Sequence, residues 1–245
     1  MSDLSSRSVL INLPVVPETL AVRLSAEIPS QRSFVWNRIP WMKVGKDVPE
    51  ISKSLHSLPD ALNRESTRET VQINLQNGQV LAAFVPVLIW GGPGGYGPFR
   101  ARSILTGVRN RSNAEAPIDP LVQFKLREAA ATVRTAGPEE AFRLMNNEGK
   151  VKYLGGAFFT KWLSFASMVD STDGPMVAPI LDKRVRDWIA QNTAQNQTIE
   201  LSTTSTADYR RYLELLDAWG GPFGRTRVQV EQSIFDLTRD RPPAD

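Results

Sequence analysis

The segment over residues 153–182 limits the possible folds more than any other part of the chain. It contains a glycine pair, an aromatic stretch with helical spacing, and a loop that can bring its end back to its beginning. Residues 153–161 read Tyr-Leu-Gly-Gly-Ala-Phe-Phe-Thr-Lys, and an apolar run with helical spacing follows them. A helix over residues 160–170 would be roughly 15 Å long, and the linker over residues 171–181 can span on the order of 30 Å. The chain can therefore return and place Asp182 beside Lys161.

The lysine and the aspartate each have an ordinary interpretation and a chemical one. Without further information, Lys161 would be a solvated helix lysine, and Asp182 would be the N-cap of the helix that follows it, a common place for aspartate. Burial among apolar neighbours would instead lower the pKa of the Lys161 amine. A neutral amine beside a carboxylate is a nucleophile with an electrostatic partner.

These residues resemble the core of the helix-hairpin-helix DNA glycosylases, most closely the bacterial form of the 8-oxoguanine DNA glycosylase branch, which has the OGG fold. That family carries a hairpin of the type Leu-Pro-Gly-Val-Gly-Thr-Lys, whose lysine attacks the sugar, and a later Val-Pro-Val-Asp segment. Lys161, preceded by Thr160, matches the catalytic lysine, and Asp182 matches the catalytic aspartate. Phe159 stands where the family has its second glycine. The resemblance extends over residues 120–220.

The resemblance implies a mostly α fold of the helix-hairpin-helix DNA glycosylase type, in which helical subdomains flank an active-site cleft. Residues 1–95 would form an N-terminal helical or mixed subdomain. Residues 96–245 would form a helical domain with the helix-hairpin-helix at about residues 138–170 and with the loop that carries the catalytic aspartate. The resemblance implies no metal and no cofactor.

Local patterns predict helices through most of the C-terminal half. Residues 121–135 are amphipathic, and Pro138 begins a second helix that continues to residue 147, because proline is favoured in the first helical turn. Further helices are predicted over residues 206–219 and about 225–237.

The N-terminal half gives weaker signals. Residues 71–75 alternate apolar and polar side chains before an Asn-Gly pair, which predicts a β-hairpin. The apolar run over residues 79–90 fits a strand or a helix, and its length favours a helix despite Pro86. Trp36 and Trp41 lie among cationic residues, where they could stack on bases, but packing in a core is the favoured interpretation.

The resemblance and the charge distribution together predict the residues that contact DNA. Backbone N–H groups of a hairpin at a helix N-terminus can hold a phosphate. Residues 97–152 contain ten lysines and arginines against six acidic residues, which favours a polyanionic partner, with a solvated surface as the alternative. The predicted DNA contacts are Gly155, Gly156, Ala157, Thr160, Arg100 and Arg102.

Residues 90–100 have the most unusual local composition, Trp-Gly-Gly-Pro-Gly-Gly-Tyr-Gly-Pro-Phe-Arg. This segment lacks the Gly-Lys-Ser/Thr ending of a nucleotide-binding P-loop. It could be a flexible connector, or a loop whose small residues let an extruded base approach closely. In the second case, Trp90, Tyr96 and Phe99 would belong to the base pocket.

Composition excludes several classes of function. The chain has no cysteine, which excludes disulfides, thiolate zinc sites, thiol catalysis and a four-cysteine iron–sulfur cluster. His56 is the only histidine, so a multi-histidine metal site is excluded as well. The net charge of +3 suits a polyanionic partner, and no apolar run predicts a membrane span or a signal peptide. We therefore expect a cytoplasmic monomer that binds DNA and needs no membrane, metal or cofactor.

The resemblance implies a DNA glycosylase with AP lyase activity that excises a modified base through a lysine Schiff base. An oxidised purine like 8-oxoguanine is the first expectation for the substrate. The alternative is a hypermodified base of phage DNA, such as glucosylated cytosine, removed in antiviral defence. A non-catalytic helix-hairpin-helix module that only binds DNA, and a helical protein-interaction domain, are the alternatives from other classes.

Overall fold

The computed structural model describes residues 13–92, 97–194 and 198–239 of the 245-residue chain. Helices dominate these ranges, which confirms the predicted mostly α class. The α-helices of the described residues are α1 (Glu18–Ser25), α2 (Arg38–Met42), α3 (Pro49–Ser57), α4 (Arg64–Gln76), α5 (Val80–Gly91), α6 (Pro98–Thr106), α7 (Pro120–Thr135), α8 (Gly137–Asn146), α9 (Gly156–Ser167), α10 (Lys183–Thr193), α11 (Thr206–Gly220) and α12 (Arg227–Arg239). A small antiparallel sheet joins β1 (Phe34–Val35) to β2 (Ala61–Leu62), and 3₁₀ turns occupy Arg111–Ala114 and Gly221–Phe223.

Local side-chain caps fix where several helices begin. Asn63 accepts a hydrogen bond from the N–H of Ser66, whose hydroxyl accepts one from the N–H of Asn63, so α4 starts with a reciprocal capping box. Asp119 caps α7 by accepting from the N–H of Leu121, and Ser205 caps α11 in the same way. Each such cap contributes roughly 1 kcal/mol to helix stability. The predicted helices over residues 121–135, 138–147 and 206–219 are confirmed with small shifts of their ends.

The predicted β-hairpin around residues 71–78 is wrong, because these residues belong to α4 and to its turn into α5. The buried side chains of α4 include Thr67, Val71 and Asn74, which are spaced three or four residues apart, and Thr67 and Asn74 are polar. Ile73, which contributed to the apparent alternation, is 58% exposed. Gly78 has a φ of +72°, a left-handed conformation that ends a helix as readily as it turns a hairpin.

The predicted helix over residues 79–90 is confirmed as α5, and it lies at the centre of the molecule. Pro86 has no N–H and leaves the carbonyl of Ala82 without its helical donor. The hydroxyl of Ser54, on α3, donates to that carbonyl at 2.9 Å. Within the described ranges, neither α5 nor any other helix has the length and apolarity needed to cross a bilayer.

One continuous cluster of buried apolar residues holds the helices together. It extends from Leu20 to Ile234 and includes residues on both sides of the predicted subdomain boundary at residue 95. Helices α3, α4, α7 and α9 all pack on α5. Trp36 and Trp41 are buried in this cluster, which confirms that they pack in the core instead of stacking on bases. The subdomain division itself stays a prediction.

The helix that carries the lysine begins earlier than the sequence predicted. Gly155 is its N-cap, and α9 starts at Gly156, so Lys161 lies in the second turn and not at the helix start. Phe159, which replaces a glycine of the family hairpin, faces the core and contacts the ring of Phe142 edge-on at a centroid distance of 5.1 Å. The family pattern would place the second glycine of the turn at residue 159. In this protein the turn ends at Gly155, a few residues earlier in the chain.

Candidate active site

The structure brings the predicted lysine and aspartate together. Lys161 comes from α9, and Asp182 is the N-cap of α10. The Lys161 Nζ lies 3.6 Å from the Asp182 Oδ2, and the two side chains are 9% and 15% exposed. The predicted return of the chain is therefore confirmed, since residues 21 positions apart meet in a partly dry environment.

The two oxygens of Asp182 have different tasks. Its Oδ1 accepts a hydrogen bond from the N–H of Val185 at 3.1 Å, which caps α10. Its Oδ2 is left to face Lys161. The cap fixes the rotamer of the carboxylate, so the side chain is preorganised toward the amine. The ordinary and the chemical interpretation of Asp182 are compatible in this geometry.

Buried hydroxyl groups hold the loop that precedes Asp182. Two tyrosines of α11 donate to its carbonyls: Tyr209 to Pro179 and Tyr212 to Ile180, each at 2.9 Å. Burial raises the pKa of both phenols, so both remain protonated donors. The loop is therefore tied rigidly to the core beside the lysine.

Thr160, one of the predicted DNA contacts, belongs to the same scaffold and has no exposed surface to offer a ligand. Its side chain is fully buried. The hydroxyl donates to the carbonyl of Gly156 at 2.9 Å and accepts from the N–H of Leu181 at 3.3 Å. Because it joins α9 to the residue before Asp182, Thr160 positions the lysine and the aspartate relative to each other.

Burial governs the electrostatics of Lys161. Loss of hydration lowers the pKa of the amine, while the charges of Asp182 and Glu231 partly oppose that effect. The Nζ also donates to the carbonyl of Ala157 at 3.2 Å and lies 5.1 Å from the centre of the Phe158 ring. The amine is therefore neutral over a wider pH range than an ordinary lysine, which is the state a nucleophile requires.

Lys161 and Asp182 lie in the wall of a cavity of about 1130 Å³. Seven of the described lining residues are cationic and three are acidic, so the cavity favours an anionic ligand such as DNA. The residues that contribute most to its chemistry are Arg64, Trp90, Gly91, Arg100, Phe158, Lys161, Asp182, Arg184 and Glu231.

Of the three residues predicted for the base pocket, one lines the cavity. Trp90 lines the cavity, and its indole N–H is held by the side chain of Gln31 at 2.8 Å. Phe99 is half exposed and does not line the cavity; Phe158, on the helix of the lysine, takes that place. Tyr96 lies outside the described residues.

The hairpin residues line a second, shallower pocket of about 410 Å³ beside the first. Gly155, Gly156 and Ala157 form one side of it, and three arginines, Arg100, Arg109 and Arg186, contribute to the rest. The structure thus brings the predicted Arg100 next to the predicted hairpin. Arg109 and Arg186 were not among the predicted contacts, because only the tertiary structure places them beside the hairpin.

The two hairpin glycines are needed for different reasons. A Cβ at Gly156 would lie 2.3 Å from the Cβ of Thr203, so this glycine lets the start of α9 pack closely on a neighbouring loop. A Cβ at Gly155 would meet nothing within 4 Å. The open side of the turn is therefore at Gly155, where a phosphate oxygen has room to approach.

Arg102, another of the predicted DNA contacts, is instead a structural residue inside the protein. It is almost completely buried, and its guanidinium pairs with both carboxylate oxygens of Asp47 at 2.6 and 2.7 Å. It also donates to the backbone carbonyls of Val44, Asn113 and Ala116. All three guanidinium nitrogens are thus used inside the protein, and none is available to a phosphate.

Several charged residues of the cavity were not predicted from the sequence, among them the buried pair Arg64 and Glu231. The Arg64 Nη2 lies 3.4 Å from the Glu231 Oε2, and both side chains are less than 10% exposed. Burial, foremost, raises the pKa of Glu231 to about 7. A signal for Arg64 was present, because it falls in helical phase with the buried Thr67 and Val71 of α4.

Glu231 should make the stability of the protein depend on pH. Because folding raises its pKa from 4.5 to about 7, folding favours the protonated carboxyl, and this stabilisation is lost as the pH rises from about 4.5 through 7. We expect the wild type to lose on the order of 1 kcal/mol or more relative to Glu231→Gln over that interval. Thermal unfolding of both proteins at about pH 5 and about pH 7.5 measures the difference. Parallel pH profiles would contradict the assignment.

Gly91 leaves the space that the Lys161 side chain occupies. A Cβ at this position would lie 2.6 Å from the Lys161 Cδ and 3.1 Å from a Phe158 ring carbon. The flexible lysine can move aside, so Gly91→Ala should change stability by about 1 kcal/mol or less. If the Lys161 amine is the nucleophile of a base-releasing reaction, its displacement should lower single-turnover base release by about 10- to 100-fold. Gly221→Ala, whose Cβ meets nothing within 4 Å, is the control, and equal rates for the two variants would contradict this role.

The fold and the site define a helical protein with a buried lysine–aspartate pair in a cationic cavity. A comparison with protein families matches residues 27–235 to the family described as "Putative 8-oxoguanine DNA glycosylase OGG-like protein". The match covers most of the chain, and the chain belongs to this OGG-like family. Membership supports DNA glycosylase as the class of enzyme and DNA as the partner. Comparisons with curated proteins and with solved structures gave no match.

The described part of the chain contains no group of three or more histidine, aspartate or glutamate side chains that could hold a metal ion. Lys161 and Asp182 remain the candidate catalytic groups of the site. Both groups are present in one cavity wall, with the amine already partly dehydrated.

Proposed function

We propose that the protein is a DNA glycosylase with AP lyase activity, in which Lys161 is the nucleophile and Asp182 its electrostatic partner. The observation that carries this proposal is the 3.6 Å approach of the Lys161 Nζ to the Asp182 Oδ2 in the wall of the 1130 Å³ cavity. A nucleotide extruded from DNA can enter such a cavity. We further propose that the enzyme acts as a monomer in the cytoplasm.

The reaction begins with the neutral amine of Lys161. Its electron pair attacks the sugar C1′, and the electrons of the glycosidic bond leave with the base, which takes up a proton. Asp182 stabilises the positive charge that develops on the sugar and assists the proton transfer from the amine. Opening of the sugar ring then gives a Schiff base between the Lys161 Nζ and C1′.

The Schiff base makes strand cleavage possible. Loss of a proton from C2′ supplies the electrons that break the C3′–O bond, and the 3′ phosphate leaves in a β-elimination. Water then hydrolyses the Schiff base and regenerates the amine. This sequence requires no metal or cofactor, since the lysine supplies the nucleophile and the electron sink.

The second pocket supports a phosphate contact. We propose that α8, the turn before Gly155 and α9 act as a helix-hairpin-helix. The N-terminus of α9 carries partial positive charge, and the three arginines of the pocket add to it. This phosphate contact would hold the DNA backbone while the adjacent nucleotide enters the cavity of Lys161.

We place an oxidised purine like 8-oxoguanine first among the substrates, in agreement with the family description. One observation favours a hypermodified base of phage DNA as a second candidate. The cavity of about 1130 Å³ exceeds the roughly 300 to 1,000 Å³ of ordinary small-molecule pockets. It would accept a base with a sugar attached, such as glucosylated cytosine, and the role of the protein would then be antiviral defence.

Borohydride trapping tests the proposal, because it reduces a Schiff base to a stable crosslink. The panel should include duplexes and single strands with 8-oxoguanine and phage DNA with glucosylated cytosine. A covalent complex formed on one of these substrates supports the glycosylase. Salt-dependent DNA binding with no crosslink on any substrate would indicate a non-catalytic DNA-binding module. Release of 8-oxoguanine with phage DNA left intact would eliminate the defence role, and the reverse result would eliminate the repair role.

A further inference from the structure

We propose that Arg64 and Glu231 bind the hydrogen-bonding edge of the extruded base and thereby determine which base the enzyme accepts. This proposal rests on the proposed glycosylase function. Arg64 is the first residue of α4, and Glu231 lies in α12. Both line the cavity that also contains Lys161 and Asp182, so a nucleotide that reaches the amine meets this pair.

Arg64 has hydrogen-bonding capacity that the protein does not use. Its Nη1 is buried and has no hydrogen-bond partner among the described residues. The hydrogen bond from its Nη2 to Glu231 is long, at 3.4 Å. Arg102 provides an internal comparison, because it is equally buried and uses every guanidinium nitrogen in bonds of 2.6 to 3.1 Å. Arg102 is thus fully satisfied, and Arg64 is not.

An under-satisfied buried charge is costly unless a ligand completes it. A buried donor without a partner destabilises a fold, and apolar residues of similar volume often replace a buried ion pair without loss of stability. Arg64 lines the wall of the cavity, although its Nη1 has no exposed surface of its own. A hydrogen-bond acceptor on the substrate is therefore the group that this site is built to receive.

The surroundings fix the pair and supply a flat apolar surface. The Trp90 ring centre lies 5.4 Å from the guanidinium carbon of Arg64. Trp90 is itself held by Gln31 and by an edge-on contact with Phe165 at a centroid distance of 4.9 Å. A rigid indole beside a charged fork allows a planar ligand to stack while its edge is bound.

The chemistry of the pair selects a base edge on which an acceptor stands next to an N–H donor. The Arg64 guanidinium donates to an oxo group or ring nitrogen, and the Glu231 carboxyl accepts from an amino or imino group. Burial raises the pKa of the Glu231 carboxyl to about 7, so its protonated form can also donate a hydrogen bond. Guanine-type and cytosine-type edges both present such a donor and acceptor.

Two reactions separate recognition of the base from the chemistry of the lysine. Release of the modified base from the duplex on which the wild type is most active requires base binding. Borohydride trapping on a duplex with a single abasic site requires Lys161 but involves no base. We expect Glu231→Gln and Arg64→Lys to lower kcat/KM for base release by about 10-fold or more, with abasic-site trapping within about 3-fold of the wild type. Arg64→Lys keeps the charge and removes only the fork.

Glu139→Gln is the matched control, because it neutralises a glutamate of an exposed ion pair, with Arg210. It should leave both reactions unchanged. Base release at the wild-type rate in both cavity variants would overturn the proposal. An equal loss of base release and of abasic-site trapping would also overturn the proposal. In variants that melt normally, such a loss would mean that the pair acts on Lys161, and in variants that melt early it would mean that the pair stabilises the fold. Failure of the wild type to trap abasic sites would refute the proposed function itself.

Discussion

Lys161→Gln should abolish base release and the borohydride crosslink, with a loss in turnover on the order of 10³-fold or more, while DNA binding remains close to wild type. The amide cannot form a Schiff base, and the phosphate contacts proposed at the hairpin do not involve this side chain. Burial already lowers the pKa of Lys161, so the fold disfavours a charge there and should tolerate a neutral side chain. Single-turnover kinetics, trapping and a salt-matched binding assay measure the three properties.

Lys53→Gln is the control for Lys161→Gln. Lys53 lies on α3, is exposed and is not among the residues that line either pocket. It should therefore keep wild-type activity. A Lys161→Gln protein that releases the base at the wild-type rate would remove the basis for assigning the nucleophile, even if its affinity for DNA were unchanged.

Asp182→Asn should lower turnover by on the order of 10² or more and cost only about 0 to 1 kcal/mol of stability. Asparagine retains an oxygen that can accept the hydrogen bond from the N–H of Val185, so the cap of α10 survives. The negative charge beside the Lys161 amine is lost, and with it the stabilisation of positive charge on the sugar. Turnover and thermal unfolding should be measured on the same preparation.

Asp119→Asn makes the same chemical change at another N-cap. Asp119 accepts from the N–H of Leu121 at the start of α7 and lies in neither pocket wall. Its effect on stability should match that of Asp182→Asn, and its effect on turnover should be negligible. Comparable losses of activity in the two variants would identify Asp182 as a purely structural cap.

Local sequence was sufficient for the features that short-range physics decides. Proline in the first turn of α8 and aspartate at the start of α10 predict those helix starts, because both signals depend on residues within one turn. The approach of Lys161 to Asp182 was predictable as well, since a helix and a linker of known reach connect them. The apolar run that became α5 was long enough to favour a helix over a strand.

Patterns that depend on burial were misread where polar residues are inside. The alternation at residues 71–75 predicted a hairpin because apolar character was taken to indicate the buried face. In α4 the buried face includes Thr67 and Asn74, while Ile73 is exposed. Hydrogen bonding can satisfy buried polar groups, so an apolar pattern alone does not define the inner face of such a helix.

The tertiary structure decided which charged residues belong to the site. Arg100 and Arg102 are two residues apart, yet one lines both pockets and the other is locked in the core with Asp47. Arg64 and Glu231 are 167 residues apart and meet only because α4 and α12 reach the same cavity. The sequence by itself determined α5 and most helices of the C-terminal half, because those depend on local spacing, and its resemblance to a family indicated the two candidate catalytic residues. Which side chains line the cavity depends on long-range packing, which places residues in contact irrespective of their separation along the chain.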